Sequence, residues 1–252
     1  MTPPNLVDTH SHIFLCKRPI DEILTSAKAA GVSHMVSVGL NIETSQKVVD
    51  LALTYPQLLP TVGIHPEEIQ DASRLPELES LIKSAHVYAI GEIGLDYYHT
   101  PYDKEAQIAL FLDQLALAKT YGLPAIIHNR NADEDTLTCI KQFPDVKKVF
   151  HCFCSDRAFV KEALPYNSFF SFTGLMTTKR GDPFLPVIKT IPLDRLMIET
   201  DCPYLTPQAF RGQENQPAFI GEVAKVIATV LVKTEESIAL VTTQTAKRFF
   251  NF

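Results

Sequence analysis

Long apolar runs are missing from this chain. None approaches the roughly 20 residues that cross a bilayer, and the first ten residues lack the basic stretch and apolar stretch of a secretory leader. A cytoplasmic protein with no membrane partner is the expectation. Cysteine is sparse and poorly spaced for structural work. Cys16, Cys139, Cys152, Cys154 and Cys202 are odd in number and contain no CxxC, so neither a disulfide framework nor a thiolate zinc cluster is implied. Cys152 and Cys154 would share one strand face and read as buried free thiols. Positive charge is also short: the formal net charge is −6, which argues against a broad basic surface for duplex nucleic acid. It leaves room for a small site whose positive charge comes from metal. Repeats, low-complexity tracts and Gly/Ser linkers are absent, so residues 1–252 read as one domain.

What is present is alternation, in a chain whose 46% hydrophobic and 21% charged residues suit a large core. After the short apolar run Asn5-Leu6-Val7, the residues Ile20, Ile23, Leu24 and Ala27 fall at helical spacing up to Gly31, a good cap. His34–Val38 reads as a second strand. Val48, Leu51, Ala52 and Tyr55 then repeat the helical spacing before strand three at Leu58–Val62. A helix over Leu78–Lys83 precedes strand four at Val87–Ile90. The long helix that follows shows Ile108, Phe111, Leu112 and Leu115 on one face. Strands at Ala125–Ile127, Lys148–Phe150, Ser168–Phe172 and Leu196–Ile198 complete the set, with helices over Asp135–Phe143 and Asp156–Leu164 between them. Two amphipathic helices finish the chain, the first carrying Phe219, Val223, Val226, Ile227 and Val230. Eight strands alternating with helices predict an α/β chain, a single-domain (β/α)8 TIM barrel, although alternation alone also allows a doubly wound open sheet.

The polar residues decide between the two. His10, His12, His65, Glu92, His128, His151 and Asp201 all fall where an apolar strand stops, the rim on which barrel active sites sit. His10 and His12, at i and i+2 on extended chain, point the same way and can grip one ion. Imidazole and carboxylate are ligands of zinc, manganese and related ions. Six such groups exceed one catalytic ion, so two divalent ions (Zn, Mg or Mn) are expected, with Glu92 bridging. His10, His12 and Asp201 are assigned to one ion, His128 and His151 to the other. Asp201 is also the candidate general base, since a carboxylate beside a metal-held water can take its proton. His34, His86 and His99 have no such place and read as surface residues or ordinary hydrogen-bonding groups.

The same residues carry a resemblance. Asp8-Thr9-His10-Ser11-His12, Gly63-Ile64-His65-Pro66-Glu67, Gly91 to Tyr98, Ile127-His128-Asn129-Arg130, His151-Cys152-Phe153, Glu199 to Pro207 and Arg211-Gly212 resemble the signatures of the TatD family of metal-dependent deoxyribonucleases. The likeness runs from Asp8 through Pro217. It implies an amidohydrolase-type TIM barrel, a divalent-metal centre and hydrolysis of phosphodiester bonds in DNA by a metal-held hydroxide. The ligands it implies fall on His10, His12, Glu92, His128, His151 and Asp201, and it adds His65 as a site residue beside the metals. The chain departs from the pattern at Cys154-Ser155, at Gln213 where the family often has Lys, and at Thr245.

Phosphate needs donors, and Arg130 and Arg211 are the best placed to hold it bidentately. Tyr98, with Tyr97, is a candidate to stack a base of a single strand. The expected partner is therefore DNA in single-stranded form, attacked from an end; the sequence is compatible with a monomer. Two alternatives stand beside this reading. One is an ester or amide hydrolase, such as a lactonase or aminoacyl-tRNA deacylase, on the same barrel and ligands. The other is a non-catalytic metal-binding interaction protein.

Overall fold

A computed structural model describes residues 5–252. Eight strands, β1 (Leu6–Ser11), β2 (Val32–Val38), β3 (Leu58–Val62), β4 (Ala89–Asp96), β5 (Ala125–Arg130), β6 (Lys148–Phe150), β7 (Ser168–Phe172) and β8 (Leu196–Ile198), lie in one sheet in sequence order. The β1·β2, β3·β4, β4·β5, β5·β6 and β7·β8 pairs are parallel. Between and after them come α1 (Ile20–Ala29), α2 (Ile42–Thr54), α3 (Leu75–Ser84), α4 (Lys104–Tyr121), α5 (Asp133–Lys141), α6 (Arg157–Ala163), α7 (Leu185–Ile188), α8 (Gly221–Leu231) and α9 (Glu235–Phe250). This is the (β/α)8 fold. No helix among the described residues is long and apolar enough to cross a membrane.

The chain divides into two units, one of the described residues through Ser37 with Cys152–Arg157 and Phe170–Phe252, the other of Val38–His151 and Ala158–Phe169. In the first unit, α1 buries Ile23, Leu24 and Ala27 and ends before Gly31, whose φ of 84° a residue with a Cβ adopts only under strain. The segment after β8 lies along β1: Asp201 N–H donates to His10 O at 2.9 Å, and His12 N–H to Cys202 O at 2.8 Å. Within α8 the buried stripe is Val223, Ala224, Ile227 and Ala228. Phe219 precedes that helix and stacks on Phe210 with ring centroids 3.8 Å apart.

In the second unit, α2 begins with a capping box between Asn41 and Thr44. The buried face of α4 is Gln107, Leu110, Phe111, Gln114, Leu115 and Ala118, not the predicted line through Ile108 and Leu112. Two glutamines displace the face because each clamps backbone. Gln114 accepts from Ile64 N–H at 2.8 Å and donates to Ile64 O at 2.9 Å; Gln107 does the same for Asp96 at 2.9 and 3.0 Å. A buried amide with both ends satisfied is stable where a hydrophobe would leave strand ends unpaired.

Strands also run further than their apolar cores. β4 begins at Ala89 and continues through Glu92 to Asp96, and β5 continues through His128 to Arg130, with Gly94, Leu95 and Asp96 paired to His128, Asn129 and Arg130. His10 likewise lies inside β1. The ladder depends on backbone hydrogen bonds, so it continues after the side chains turn polar. Gly94 permits the close pairing: at its φ of 141°, an added Cβ would sit 2.0 Å from His128 O.

Candidate functional site

In the first unit, His10 near the end of β1 and His12 just after it come together, and the segment after β8 brings up Asp201. The two Nε2 atoms are 3.2 Å apart. Asp201 Oδ1 is 3.8 Å from His10 Nε2 and 3.6 Å from His12 Nε2. Two nitrogens bound tetrahedrally at the usual zinc distance stand about 3.4 Å apart, so these three groups fit a divalent ion. All three side chains are buried. Asp201 has φ 57°, a sparsely populated region for a residue with a Cβ. Hydrogen bonds hold it there: its N–H goes to His10 O, and its carbonyl accepts from Tyr204 N–H at 2.9 Å. Asn215 braces the same turn by donating to Thr200 O and Tyr204 O.

Asp8 organises this cluster from behind. Its buried carboxylate accepts from Thr200 N–H at 2.9 Å, Thr200 Oγ1 at 2.5 Å and His10 N–H at 3.4 Å. Burial pushes its pKa up to about 7, against the pull of the Thr200 hydrogen bonds. Glu199 acts similarly on a neighbouring turn, accepting from Cys152 N–H at 2.6 Å. Phe14 and Tyr204 flank the His12 ring edge-on. Arg211 follows the turn at Gln208–Phe210 and is exposed.

The second unit gathers Glu92 from β4, His128 from β5, His151 just after β6 and His65 just after β3. Glu92 Oε1 faces three ring nitrogens: His151 Nε2 at 2.7 Å, His128 Nδ1 at 2.9 Å and His65 Nε2 at 3.5 Å. Protonation states follow from the partners. His128 Nε2 lies 2.8 Å from Asp96 Oδ2, and a carboxylate only accepts, so Nε2 carries the proton. In the neutral ring the Nδ1 lone pair then points at Glu92 Oε1 and, at 3.3 Å, at His151 Nε2. Two acceptors at that separation need a cation between them, a proton or a metal ion, so this donor set also fits a divalent ion.

Burial opposes charge on His128, but the hydrogen bonds to Asp96 and Glu92 outweigh it and raise its pKa. Burial likewise opposes charge on Asp96, and the hydrogen bonds from His128 and His99 hold its carboxyl well below the usual range. His65 differs from the other two rings. Its Nδ1 accepts from Glu67 N–H at 3.2 Å, so in the neutral ring Nε2 bears the proton and faces Glu92 as a donor.

The remaining predicted residues separate into two kinds. The Arg130 guanidinium lies 3.9 Å from the centroid of the exposed Tyr98 ring, a cation–π pair. Tyr97 is used structurally: its hydroxyl donates to Asp135 Oδ2 at 3.0 Å and its ring stacks on Tyr102. Sequence reasoning gave no role to Asp8 or Asp96, and it read His99 as a surface or ordinary hydrogen-bonding residue, which matches its exposure and its bond to Asp96. Asp96 was legible in principle, four residues after Glu92 and therefore on the same strand face. His99 had no periodic signal, because it lies in a turn.

The family described as TatD related DNase matches residues 7–251. YabD of Bacillus subtilis (strain 168), described as an uncharacterized metal-dependent hydrolase, is 39% identical over 251 residues, covering 97% of this chain and 98% of its own. A protein of Erwinia tasmaniensis named as a 3'-5' ssDNA/RNA exonuclease, TatD, is 33% identical over 241 residues, 92% of this chain and 93% of its own. Among solved structures, the TatD homolog YJJV of Escherichia coli K12 superposes with a TM-score of 0.92 at 29% identity, over 99% of each chain.

Proposed function

Since the chain belongs to the TatD-related DNase family and is a metal-dependent hydrolase, we propose that its substrate is nucleic acid and that it cleaves phosphodiester bonds of single-stranded DNA from an end. In this reading two divalent ions are held, one by His10, His12 and Asp201, the other by Glu92, His128 and His151. The observation that carries it is the second cluster, where Glu92 Oε1 faces the rings of His128 and His151 at 2.9 and 2.7 Å with only acceptor geometry left between His128 and the carboxylate. The exonuclease named for the Erwinia relative supports the substrate class.

Bound ions would lower the pKa of water and polarise a phosphoryl oxygen. The protein's own groups do the rest. Asp201 takes the proton of the attacking water, and His65 donates from Nε2 into the site. Arg130, held by the Tyr98 ring, keeps its N–H edge available for a phosphate. Tyr98 offers a face to a base, and Arg211 supplies a second cation. A protein of one domain acting in the cytoplasm, as a monomer, completes the proposal.

The test is nucleotide release from end-labelled single-stranded DNA with Mg, Mn or Zn and with chelator. A ladder shortening from one end, lost on chelation and in Asp201→Asn, is the expected result. Gln213 at the family's usual Lys position favours a second reading, an ester or amide hydrolase with weaker phosphate grip. An intact strand under every metal, with turnover of an ester or amide panel, would overturn the nuclease in its favour.

A further inference from the structure

His99 has no place in the ligand set, yet it is tied to that set through one carboxylate. Its Nδ1 lies 2.8 Å from Glu67 Oε1 and 3.0 Å from Asp96 Oδ2. Both partners accept only, so Nδ1 carries a proton and shares it between two carboxylates. Asp96 Oδ2 also takes the proton of His128 Nε2 at 2.8 Å, while Asp96 Oδ1 accepts the N–H groups of Tyr98 and His99, each at 2.9 Å. Four donors on one carboxylate, with its main chain clamped by Gln107, leave Asp96 a single orientation. The line Glu67, His99, Asp96, His128 therefore runs from two exposed side chains to a half-buried ring whose Nδ1 faces Glu92.

We propose that His99 is a positioning residue for metal binding: bridged to Glu67, it aims the Asp96 carboxylate that fixes the tautomer of His128. The proposal rests on His128 being a metal ligand. Glu67 serves the same cluster twice, since its N–H sets the tautomer of His65 while its side chain steadies His99. Loss of a partner that orients a ligating histidine typically weakens metal binding about 10- to 100-fold. His99 stands one step further out, so the lower end applies.

The experiment measures Zn2+ affinity and stoichiometry of the full chain by competition with a chromophoric chelator, with the nitrogen NMR shifts of His128 as a tautomer signature. His99→Ala should weaken the binding of one equivalent about tenfold and shift His128 towards its other tautomer. His99→Asn, whose amide nitrogen can replace Nδ1 as donor, should recover most of both effects. Glu67→Gln, a change at an exposed position that leaves the core intact, should weaken binding about two- to threefold and covers the case in which His99→Ala does not fold. Unchanged affinity and spectrum in folded His99→Ala would overturn the proposal, as would His99→Asn behaving like His99→Ala. If His128→Ala keeps its full zinc content, the ligand assignment itself fails; if it loses an equivalent while the His99 variants lose nothing, only the positioning role fails.

Discussion

The two clusters are made from the same side chains but held by different means. His10, His12 and Asp201 come from two backbone segments that run side by side, and their placement is a matter of register: Asp201 N–H on His10 O, His12 N–H on Cys202 O, Thr200 on Asp8. Glu92, His65, His128 and His151 come from or follow four strands, and their placement depends on side chains: Asp96 and His99 behind His128, Gln114 behind Ile64 beside His65. A backbone-held cluster tolerates substitutions around it and fails when the turn slips. A cluster held by side chains is sensitive to residues that never touch a metal.

The largest expected effect separates ligand from support. Glu92→Ala removes the carboxylate that faces three rings, and hydrolytic turnover should fall about a thousandfold or more. Metal content measured alongside tests the bridging role expected from the sequence. Loss of both equivalents supports it, and loss of one confines Glu92 to the His128 cluster.

Asp8→Ala probes the backbone-held side. It leaves Thr200 N–H, Thr200 Oγ1 and His10 N–H without their acceptor in a buried place, at a cost of about 2–4 kcal/mol. Urea melts should show that loss with a weakened His10 cluster, while Asp8→Asn, which keeps an acceptor oxygen, loses less. Equal loss in both variants would mean that the charge, not the turn, matters.

Lys148 supplies a control at the other end of β6 from His151. Its buried ammonium donates to the carbonyls of Phe143, Val146 and Tyr166 at 2.6–2.8 Å. Burial lowers its pKa to about 8. The unfolded chain, with an ordinary lysine pKa, then binds more protons than the folded one above pH 8, so stability conferred through this group rises from about pH 8 to about 10.5 and is flat below. Lys148→Met should lose about 2–3 kcal/mol at neutral pH, abolish that rise relative to the parent, and leave zinc affinity unchanged. A changed zinc affinity would show that the site feels the whole strand.

The smallest effect sharpens the comparison most. Gln114→Leu frees Ile64 and should cost about 1–2 kcal/mol with a several-fold drop in turnover, because His65 loses its footing but no ligand is lost. Thermal melts and kinetics on one preparation check both. The same substitution with turnover intact would place the hold on His65 in the turn at Glu67 instead.

Part of this was readable from the chain alone. The period of the apolar residues located eight strands and the helices except the short α7, since side-chain alternation and helical spacing are local consequences of backbone geometry. His10 and His12 could be paired because i and i+2 share a strand face, and Asp201 and Glu92 could be named because polar groups interrupt apolar strands where a parallel sheet places its chemistry. The extent of β4 and β5 was not legible, because a ladder is held by backbone groups that every residue carries alike.

The buried face of α4 includes Phe111 and Leu115, as expected, but takes Gln107 and Gln114 in place of Ile108 and Leu112 for a related reason. Gln107 and Gln114 are polar by composition and become core residues only once the backbone ends they clamp are in place. Which ring nitrogen of His65 or His128 carries the proton, and that Asp8, Asp96 and His99 stand behind the candidate ligands, were decided by tertiary structure alone. A tautomer is set by the acceptor or donor that folding brings to the other nitrogen, and for His128 that partner, Asp96, lies 32 residues away in the chain.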